Sequence, residues 1–292
     1  MKQAFICLHV AILLAGGTGL FGRLITLTEL PLVWYRMTFA LALLLPILMA
    51  TGQFHKLSMK RFLEIAGCGA LLAIHWIFFY GSIQASNVSI GVICLTLVSF
   101  FTALLEPLLT KSKPRWTELI LSVLPVMGIL LIFQLDVQFR YGILLGVASS
   151  AACAVFSIGS KILINRHKHS SSTMLYGELA GGVALITLIM PVVTYLRPEL
   201  PIVPAASDLF YLLLLSSIFT IGAFMLQLRA LQKVSTFTMT LSYNLEPVYS
   251  ILYAMILFDE GRELSSNFWI GVLLIVISVV LQTILVKKKK NG

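Results

Sequence analysis

The sequence predicts an all-α integral membrane protein that crosses the bilayer with ten transmembrane helices. Charged residues make up 11% of the 292 residues, and 59% belong to the apolar set AVILMFWYC, whereas an ordinary soluble domain carries about 25% charged residues. Mean hydropathy is +0.97. This composition cannot supply the polar surface of a soluble protein, and it is far too apolar for a disordered chain. The apolar residues also fall into ten stretches, each close to the roughly 20 residues that a helix needs to cross a bilayer.

Residues typical of helix ends separate the ten stretches. Pro31 lies in the first turn of span two, where its missing N–H costs nothing, and residues 51–53 (Thr-Gly-Gln) end that span. Residues 197–201 separate spans seven and eight, and Ser207–Asp208 is predicted to be an N-cap of span eight. All loops are short, so no soluble domain is expected. The predicted spans are 4–22, 31–51, 62–82, 87–109, 117–135, 141–164, 173–196, 208–230, 234–258 and 267–286.

The distribution of Lys and Arg predicts the orientation, because cytoplasmic loops carry an excess of both. With a cytoplasmic N-terminus and ten alternating spans, 16 of the 21 cations lie on the cytoplasmic side, four lie outside and Arg36 lies within span two. Both termini of this multi-pass protein are therefore expected in the cytoplasm, at the inner (plasma) membrane. The run Lys287–Lys290 follows an apolar helix, so anionic lipid at the basic loops and tail is the expected partner, not nucleic acid.

The ten spans divide into two groups of five. Span four with its flanks (85–109) and span nine with its flanks (233–260) share a pattern: a short polar turn, then Ser and Thr residues, then an apolar helix. Because five is odd, the second group has inverted topology, which is typical of transporters with a site near the membrane midplane. We expect the first repeat over residues 1–137 and the second, with the basic tail, over 138–292.

Five segments carry a resemblance to a known family. They are residues 34–37 (WYRM), 75–89 (HWIFFYGSIQASNVS), 100–109 (FFTALLEPLL), 231–254 (LQKVSTFTMTLSYNLEPVYSILYA) and 258–260 (FDE). The chain resembles the EamA-type permeases of the drug/metabolite transporter superfamily. The resemblance implies two inverted five-helix EamA repeats and a permease that moves a small organic metabolite, such as an amino acid, by alternating access, with export as the direction. It implies a secondary transporter without a cofactor.

Two alternatives stay open at this point. One is a flippase for a lipid-linked substrate, built on the same fold with basic residues near a headgroup site. The other is a membrane-embedded enzyme. The sequence contains no H-E-x-x-H, no G-x-S-x-G and no phosphate-binding glycine loop, so no catalytic residue is predicted. Its four cysteines form no C-x-x-C motif, and no metal site is predicted.

Glu246 is the strongest candidate for chemistry. Ionisable side chains at membrane depth cost about 2.5–3.5 kcal/mol on insertion scales, and Glu246 lies about 18 Å into span nine at 1.5 Å per residue. Pro247 is expected to free a backbone carbonyl nearby, and Tyr243 and Asn244 add polar groups. The carboxyl is therefore suited to bind the polar group of a solute or to carry a proton. The alternative is a neutral, hydrogen-bonded Glu that locks span nine to a neighbouring helix.

Other polar or aromatic side chains at membrane depth are further candidates for contact with solute. His75 lies as deep as Glu246, and Trp76, Tyr80 and Gln84 share its span and are spaced to lie on one helix face. That face is suited to line a cavity for a flat solute, or to pack against a neighbouring helix. Arg36 lies one or two turns below the outer surface, as a substrate ligand, an anchor or an ion-pair partner.

Two carboxyls and two sets of small residues complete the candidates. Glu106 and Glu178 are secondary sites, because both lie near cytoplasmic helix ends where they are expected to reach interfacial water. Gly177 and Gly181 form a G-x-x-x-G pair in span seven. Small residues also form a stripe between 142 and 157 in span six. Both patterns predict close helix packing.

Overall fold

Every regular element in the described part of the chain is a helix. The computed structural model describes residues 2–54, 57–135, 137–167 and 170–259, together with scattered positions between 266 and 281. Seven helical segments are long and apolar enough to cross a membrane, and they coincide with predicted spans one to four and six to eight. The all-α multi-span architecture is therefore confirmed. Predicted span ten, except for those scattered helical positions, and the Lys287–Lys290 run lie outside the described residues.

The first half of the chain contains seven α-helices. They are α1 (Lys2–Thr18), α2 (Phe21–Leu24), α3 (Glu29–Ala50), α4 (Met59–Ala85), α5 (Val88–Cys94), α6 (Leu97–Thr110) and α7 (Trp116–Leu135). A single 3₁₀ turn, Val137–Phe139, leads into the second half.

The described part of the second half contains six further α-helices up to Asp259. They are α8 (Arg140–His167), α9 (Ser171–Leu196), α10 (Ala206–Leu214), α11 (Ala223–Leu231), α12 (Thr236–Ser242) and α13 (Glu246–Phe258). A π-helical segment, Leu215–Gly222, joins α10 to α11 within one span. A 3₁₀ turn, Tyr243–Leu245, joins α12 to α13.

Spans four and nine are each divided into a short helix and a longer one. The short helices α5 and α12 both have seven residues. Each begins with a side-chain cap: Asn87 Oδ1 accepts from the Ile90 amide at 2.8 Å, and Ser235 Oγ accepts from the Thr238 amide at 3.1 Å. Aligned on these caps, Glu246 corresponds to Val98, and Glu106 occupies a different position. Discontinuous helices at matching places in two repeats are typical of transporter binding sites.

Helices α4 and α9 cross at backbone contact. A Cβ atom at Gly69 of α4 would overlap the Glu178 carbonyl group, and one at Gly181 of α9 would overlap the backbone of Ala66. Gly177 similarly faces the Ile65 side chain, where a Cβ would lie 2.6 Å from Cγ2. Only glycine permits this approach, so the packing predicted for the G-x-x-x-G pair is confirmed.

The small-residue stripe of α8 packs against α4 and α5. A Cβ at Gly142 would lie 2.7 Å from the Ser86 side chain, and one at Gly146 would lie 2.6 Å from Cys94 Cβ. Ser82 Oγ donates to the Gly142 carbonyl at 2.7 Å. These contacts confirm the predicted use of the stripe and place α4 between α8 and α9.

Asp208 joins α10 to the segment between α2 and α3. The helix begins at Ala206, so the prediction that Ser207–Asp208 is the N-cap is wrong. Asp208 instead reaches back to accept from the amide of Ala205, the true N-cap residue, at 3.0 Å. The buried carboxylate also accepts from the Thr26 amide at 2.9 Å and the Thr26 hydroxyl at 2.7 Å. Its three donors explain why this acidic residue lies inside the fold.

Candidate functional site

A cavity of about 70 Å³ lies among α1, α3, α4, α8 and the broken spans four, eight and nine. This volume has room for a few water molecules. Its wall is mostly apolar, with rings from Phe79, Phe156 and Phe224. Two side chains of opposite formal charge, Arg36 and Glu246, complete the wall. An apolar chamber with a few convergent polar groups is the usual form of a small-molecule site.

Arg36 is held rigidly while part of its guanidinium stays available. The side chain is only 1% exposed; its Nε donates to Thr220 Oγ1 at 2.8 Å and its Nη1 donates to the Tyr80 hydroxyl at 2.9 Å. Its Cζ lies 3.6 Å from the ring centroid of Trp76, a cation–π geometry. Arg36 forms no other side-chain hydrogen bond with the described residues. Because a guanidinium has five N–H groups, three remain for a ligand.

The π-helical segment of span eight fixes the hydroxyl that orients Arg36. Thr220 Oγ1 donates to the Leu215 carbonyl, five residues earlier, at 2.8 Å. Since its proton is used in this bond, the hydroxyl presents only acceptor lone pairs to Arg36 Nε. In the same segment Ser216 Oγ donates to the Arg36 carbonyl at 3.0 Å. π-Helical turns are rare and frequently occur at functional sites.

Glu246 is the first residue of α13 and faces the cavity. It is 6% exposed, and among the described residues its carboxyl has no hydrogen-bond donor and no ion-pair partner within 4 Å. A buried carboxyl normally has both kinds of partner. The carboxyl instead lines the cavity, where a group of a ligand can reach it.

The break beside Glu246 has a different cause from the one predicted. The Tyr243 carbonyl accepts from the Glu246 amide in the 3₁₀ turn, so the prediction that Pro247 frees a carbonyl is wrong. Pro247 lies in the first turn of α13, where its missing N–H costs no hydrogen bond. The span is interrupted before the proline, and the interruption brings Tyr243 and Glu246 to the same cavity.

Further polar groups line the cavity between the two charged ones. The Tyr243 hydroxyl donates to Gln227 Oε1 at 2.8 Å. His75 Nδ1 lies 3.0 Å from the Ser149 carbonyl and 2.8 Å from its hydroxyl, which itself donates to the His75 carbonyl at 3.0 Å. A carbonyl only accepts, so the contact with the Ser149 carbonyl favours a proton on Nδ1. His75 thus links α4 to α8 and contributes to the wall.

Three of the predicted site residues do not line the cavity: Tyr80, Gln84 and Asn244. The Tyr80 hydroxyl donates to the Thr18 carbonyl at 3.3 Å and lies behind Arg36. Gln84 Nε2 donates to the Leu27 carbonyl at 3.0 Å. Asn244 is buried, with Nδ2 3.3 Å from Ser99 Oγ. Of the predicted face of span three, only Trp76 lines the cavity together with His75.

The two secondary carboxyls lie in contrasting environments. Glu106 is half-buried in a surface cleft shared with Ser112, Lys113 and Arg115. Glu178 is 0% exposed, so the prediction that it reaches interfacial water is wrong. Helices α4 and α9 touch at this residue, because Gly69 lets the α4 backbone approach the Glu178 backbone.

Thr220 and Gln227 were missed by the sequence analysis. Gln227 could have been identified from the sequence, since an amide within an apolar span requires a partner in the same way as a carboxyl does. The sequence does not single out Thr220, because threonine is common in membrane spans and the π-helical turn that directs its hydroxyl has no simple sequence pattern.

Comparison with known proteins agrees with this fold. One solved crystal structure of another protein superposes with a TM-score of 0.70 at 17% sequence identity, covering 97% of this chain and 98% of that chain. A search of curated proteins finds no match. The model of the EamA-like transporter family matches residues 2–134 and again residues 140–284. With two matches that together span most of its length, the chain belongs to the EamA-like transporter family.

Proposed function

We propose that the protein is a secondary transporter for a small zwitterionic metabolite, such as an amino acid. The observation that carries this proposal is the presence in one cavity of Arg36, whose guanidinium has unused donors, and Glu246, whose carboxyl has no hydrogen-bond donor among the described residues. A solute carboxylate accepts two parallel hydrogen bonds from Arg36, and a solute ammonium donates to Glu246. The bound complex then contains two compensated charge pairs, which offsets the cost of removing them from water.

The size of the cavity supports a small solute. Pockets for drug-sized ligands measure about 300–1,000 Å³, and this cavity measures about 70 Å³. Trp76, Phe156 and Phe224 close around it. We assign the structure to a contracted stage of an alternating-access cycle, in which the two repeats rearrange around the site. Export, at the inner membrane, is the direction that the family resemblance supports.

The proposed topology has ten spans with both termini in the cytoplasm and anionic lipid at the basic cytoplasmic loops. The 16-to-4 distribution of cations supports it. Reporter fusions after the C-terminus and at Pro201, between α9 and α10, should report the cytoplasm and the exterior, respectively. Two reports from the same side would rule out this topology.

Exchange in proteoliposomes tests the proposed substrate class. Purified protein should exchange internal unlabelled amino acid for external labelled amino acid of the same kind, first screened over small neutral amino acids. Amino-acid amides lack the carboxylate and N-acetyl amino acids lack the ammonium, so both should compete at least tenfold less well. Equal competition by either analogue would overturn the two-point site, and displacement only by a lipid would favour the flippase.

The same assay tests Glu246 directly. Glu246→Gln keeps the size of the side chain but removes its charge, so exchange of the zwitterion should fall at least tenfold while folded yield is retained. Glu199→Gln changes an exposed carboxyl in the α9–α10 loop and should leave exchange unchanged. Wild-type exchange by Glu246→Gln would make Glu246 a structural residue.

A further inference from the structure

Glu178 lies outside the solute cavity and is incompletely paired. Its Oε1 accepts from Ser160 Oγ of α8 at 2.6 Å, and its Oε2, fully buried, has no hydrogen-bond partner among the described residues. A carboxylate in this position would be an uncompensated charge inside the membrane-embedded part of the fold. The packing therefore tolerates the neutral acid, with its proton on a carboxyl oxygen.

Among the described residues, no basic side chain lies where it could compensate a negative charge on the Glu178 carboxyl. The titratable side chain that interacts with it from α4 is the Cys68 thiol, which is itself neutral and buried. On α8 the residue after Ser160 is Lys161, but its ammonium donates to the Leu231 and Val234 carbonyls. Neither α3 nor α11, the other helices packed on α9, brings a charged side chain to the carboxyl.

Helix α4 connects Glu178 to the solute site. Its Gly69 presses against the Glu178 backbone, and its His75 and Trp76 line the cavity. The carboxyl is fully buried and lies against Ser160 of α8 and near Cys68 of α4, so water can reach it only if α4 or α8 moves away from α9. Movement of α4 also displaces the cavity wall that carries His75 and Trp76.

From this arrangement we propose that Glu178 is the proton-binding site that couples solute movement to a proton gradient. This proposal rests on the proposed transport function and assigns the proton to Glu178 and the solute to Arg36 and Glu246. Opening of the α4–α9 contact exposes the carboxyl, which gives its proton to water on one side. After the rearrangement the carboxylate takes a proton from water on the other side, and the O–H bond forms again before the contact closes. One proton crosses for each cycle, and no other co-reactant is needed.

Glu178→Gln separates coupling from solute binding. Glutamine keeps the size of the side chain and a carbonyl acceptor for Ser160 but cannot ionise. Amino-acid exchange with equal pH on both sides should stay within twofold of wild type. Accumulation driven by a pH gradient should fall to the gradient-free level, and the solute-induced pH change inside the vesicles, followed with a trapped dye, should disappear. Glu199→Gln changes an exposed carboxyl in the α9–α10 loop, serves as the control and should keep both.

Each outcome bears on the proposal. Wild-type gradient-driven accumulation by Glu178→Gln would overturn it, as would loss of exchange by a folded variant. Exchange without any response of the wild type to pH gradients would also overturn it, while leaving the solute site in place. If Glu178→Gln fails to fold, the wild-type protein is treated with dicyclohexylcarbodiimide, an apolar reagent for protonated carboxyls. Peptide mass spectrometry should then find modified Glu178, decreasing as pH rises, and its absence would overturn the assignment.

Discussion

Replacing Arg36 with glutamine should reduce amino-acid exchange in proteoliposomes at least a hundredfold. Each hydrogen bond from a charged donor contributes about 1.5–3 kcal/mol, and two of them to a solute carboxylate amount to about 3–6 kcal/mol, or more than a hundredfold in affinity. Arg36→Lys should recover little, because an ammonium cannot form the planar two-point contact. Folded yield should fall less than exchange, since the variant removes a buried charge whose other partners are neutral hydroxyls and a ring.

Two further variants separate the charge of Arg36 from its orientation. Thr220→Val removes the hydroxyl that accepts from Arg36 Nε, and should raise the half-saturating solute concentration about tenfold, while Thr220→Ser should restore the wild-type value.

Arg166→Gln is the charge control for Arg36→Gln, because Arg166 is exposed and its contact with Glu64 at 3.7 Å is a surface pair, which contributes little. Exchange by Arg36→Gln at the wild-type rate would contradict the two-point site.

Replacing Gly69 with alanine should lower the thermal unfolding midpoint by about 6–12 °C. The added methyl group overlaps the backbone of Glu178, and backbone cannot move aside as a flexible side chain can. Overpacking typically costs about 1–3 kcal/mol, and overlap with backbone places this variant at the upper end, about 3 kcal/mol; each kcal/mol shifts the midpoint by about 2–4 °C in a domain of comparable size. Gly181→Ala, which overlaps the Ala66 backbone, should have the same effect.

Gly67→Ala is the matched control on the same helix. A Cβ at Gly67 meets no atom within 4 Å, and alanine favours the helix over glycine by about 0.8–1 kcal/mol. Its unfolding midpoint should therefore be unchanged or slightly raised. The measurement is thermal unfolding of the purified protein in detergent, followed by intrinsic fluorescence. Equal midpoints for Gly69→Ala and Gly67→Ala would mean that the α4–α9 contact is looser than described.

The spans were predictable from the sequence because the bilayer requires about 20 apolar residues for each. Their interruptions were not predictable to the same extent. Pro247 was expected to free a backbone carbonyl in span nine, but the helix is interrupted before the proline, at Tyr243–Leu245. The break of span four after Cys94 falls within an apolar run without proline. Such breaks depend on neighbouring helices, which the local sequence does not contain.

Most of the site was predicted from the free-energy cost of burying polar side chains in a membrane. This cost identified Arg36, Glu246 and His75, all of which line the cavity. The helix-face rule was less successful, because it groups Trp76 with Tyr80 and Gln84 without information on which neighbour each one meets. Glu178 was assigned to water from its distance along the helix alone. Its burial comes from packing against α4 and α8, which distance along its own helix does not reveal.

If the solute is the zwitterion proposed above, the difference between the two halves at their matching break fixes the orientation in which it binds. Leu95 and Val98 of the first half face the cavity at the positions that Tyr243 and Glu246 occupy in the second. Two identical halves would set carboxyl against carboxyl, and their repulsion in a medium of low dielectric constant would oppose binding. Divergence at these positions leaves a single negative pole, opposite Arg36 of the first half. The zwitterionic solute proposed above would then dock in only one orientation, with the same end leading each time it passes through the protein.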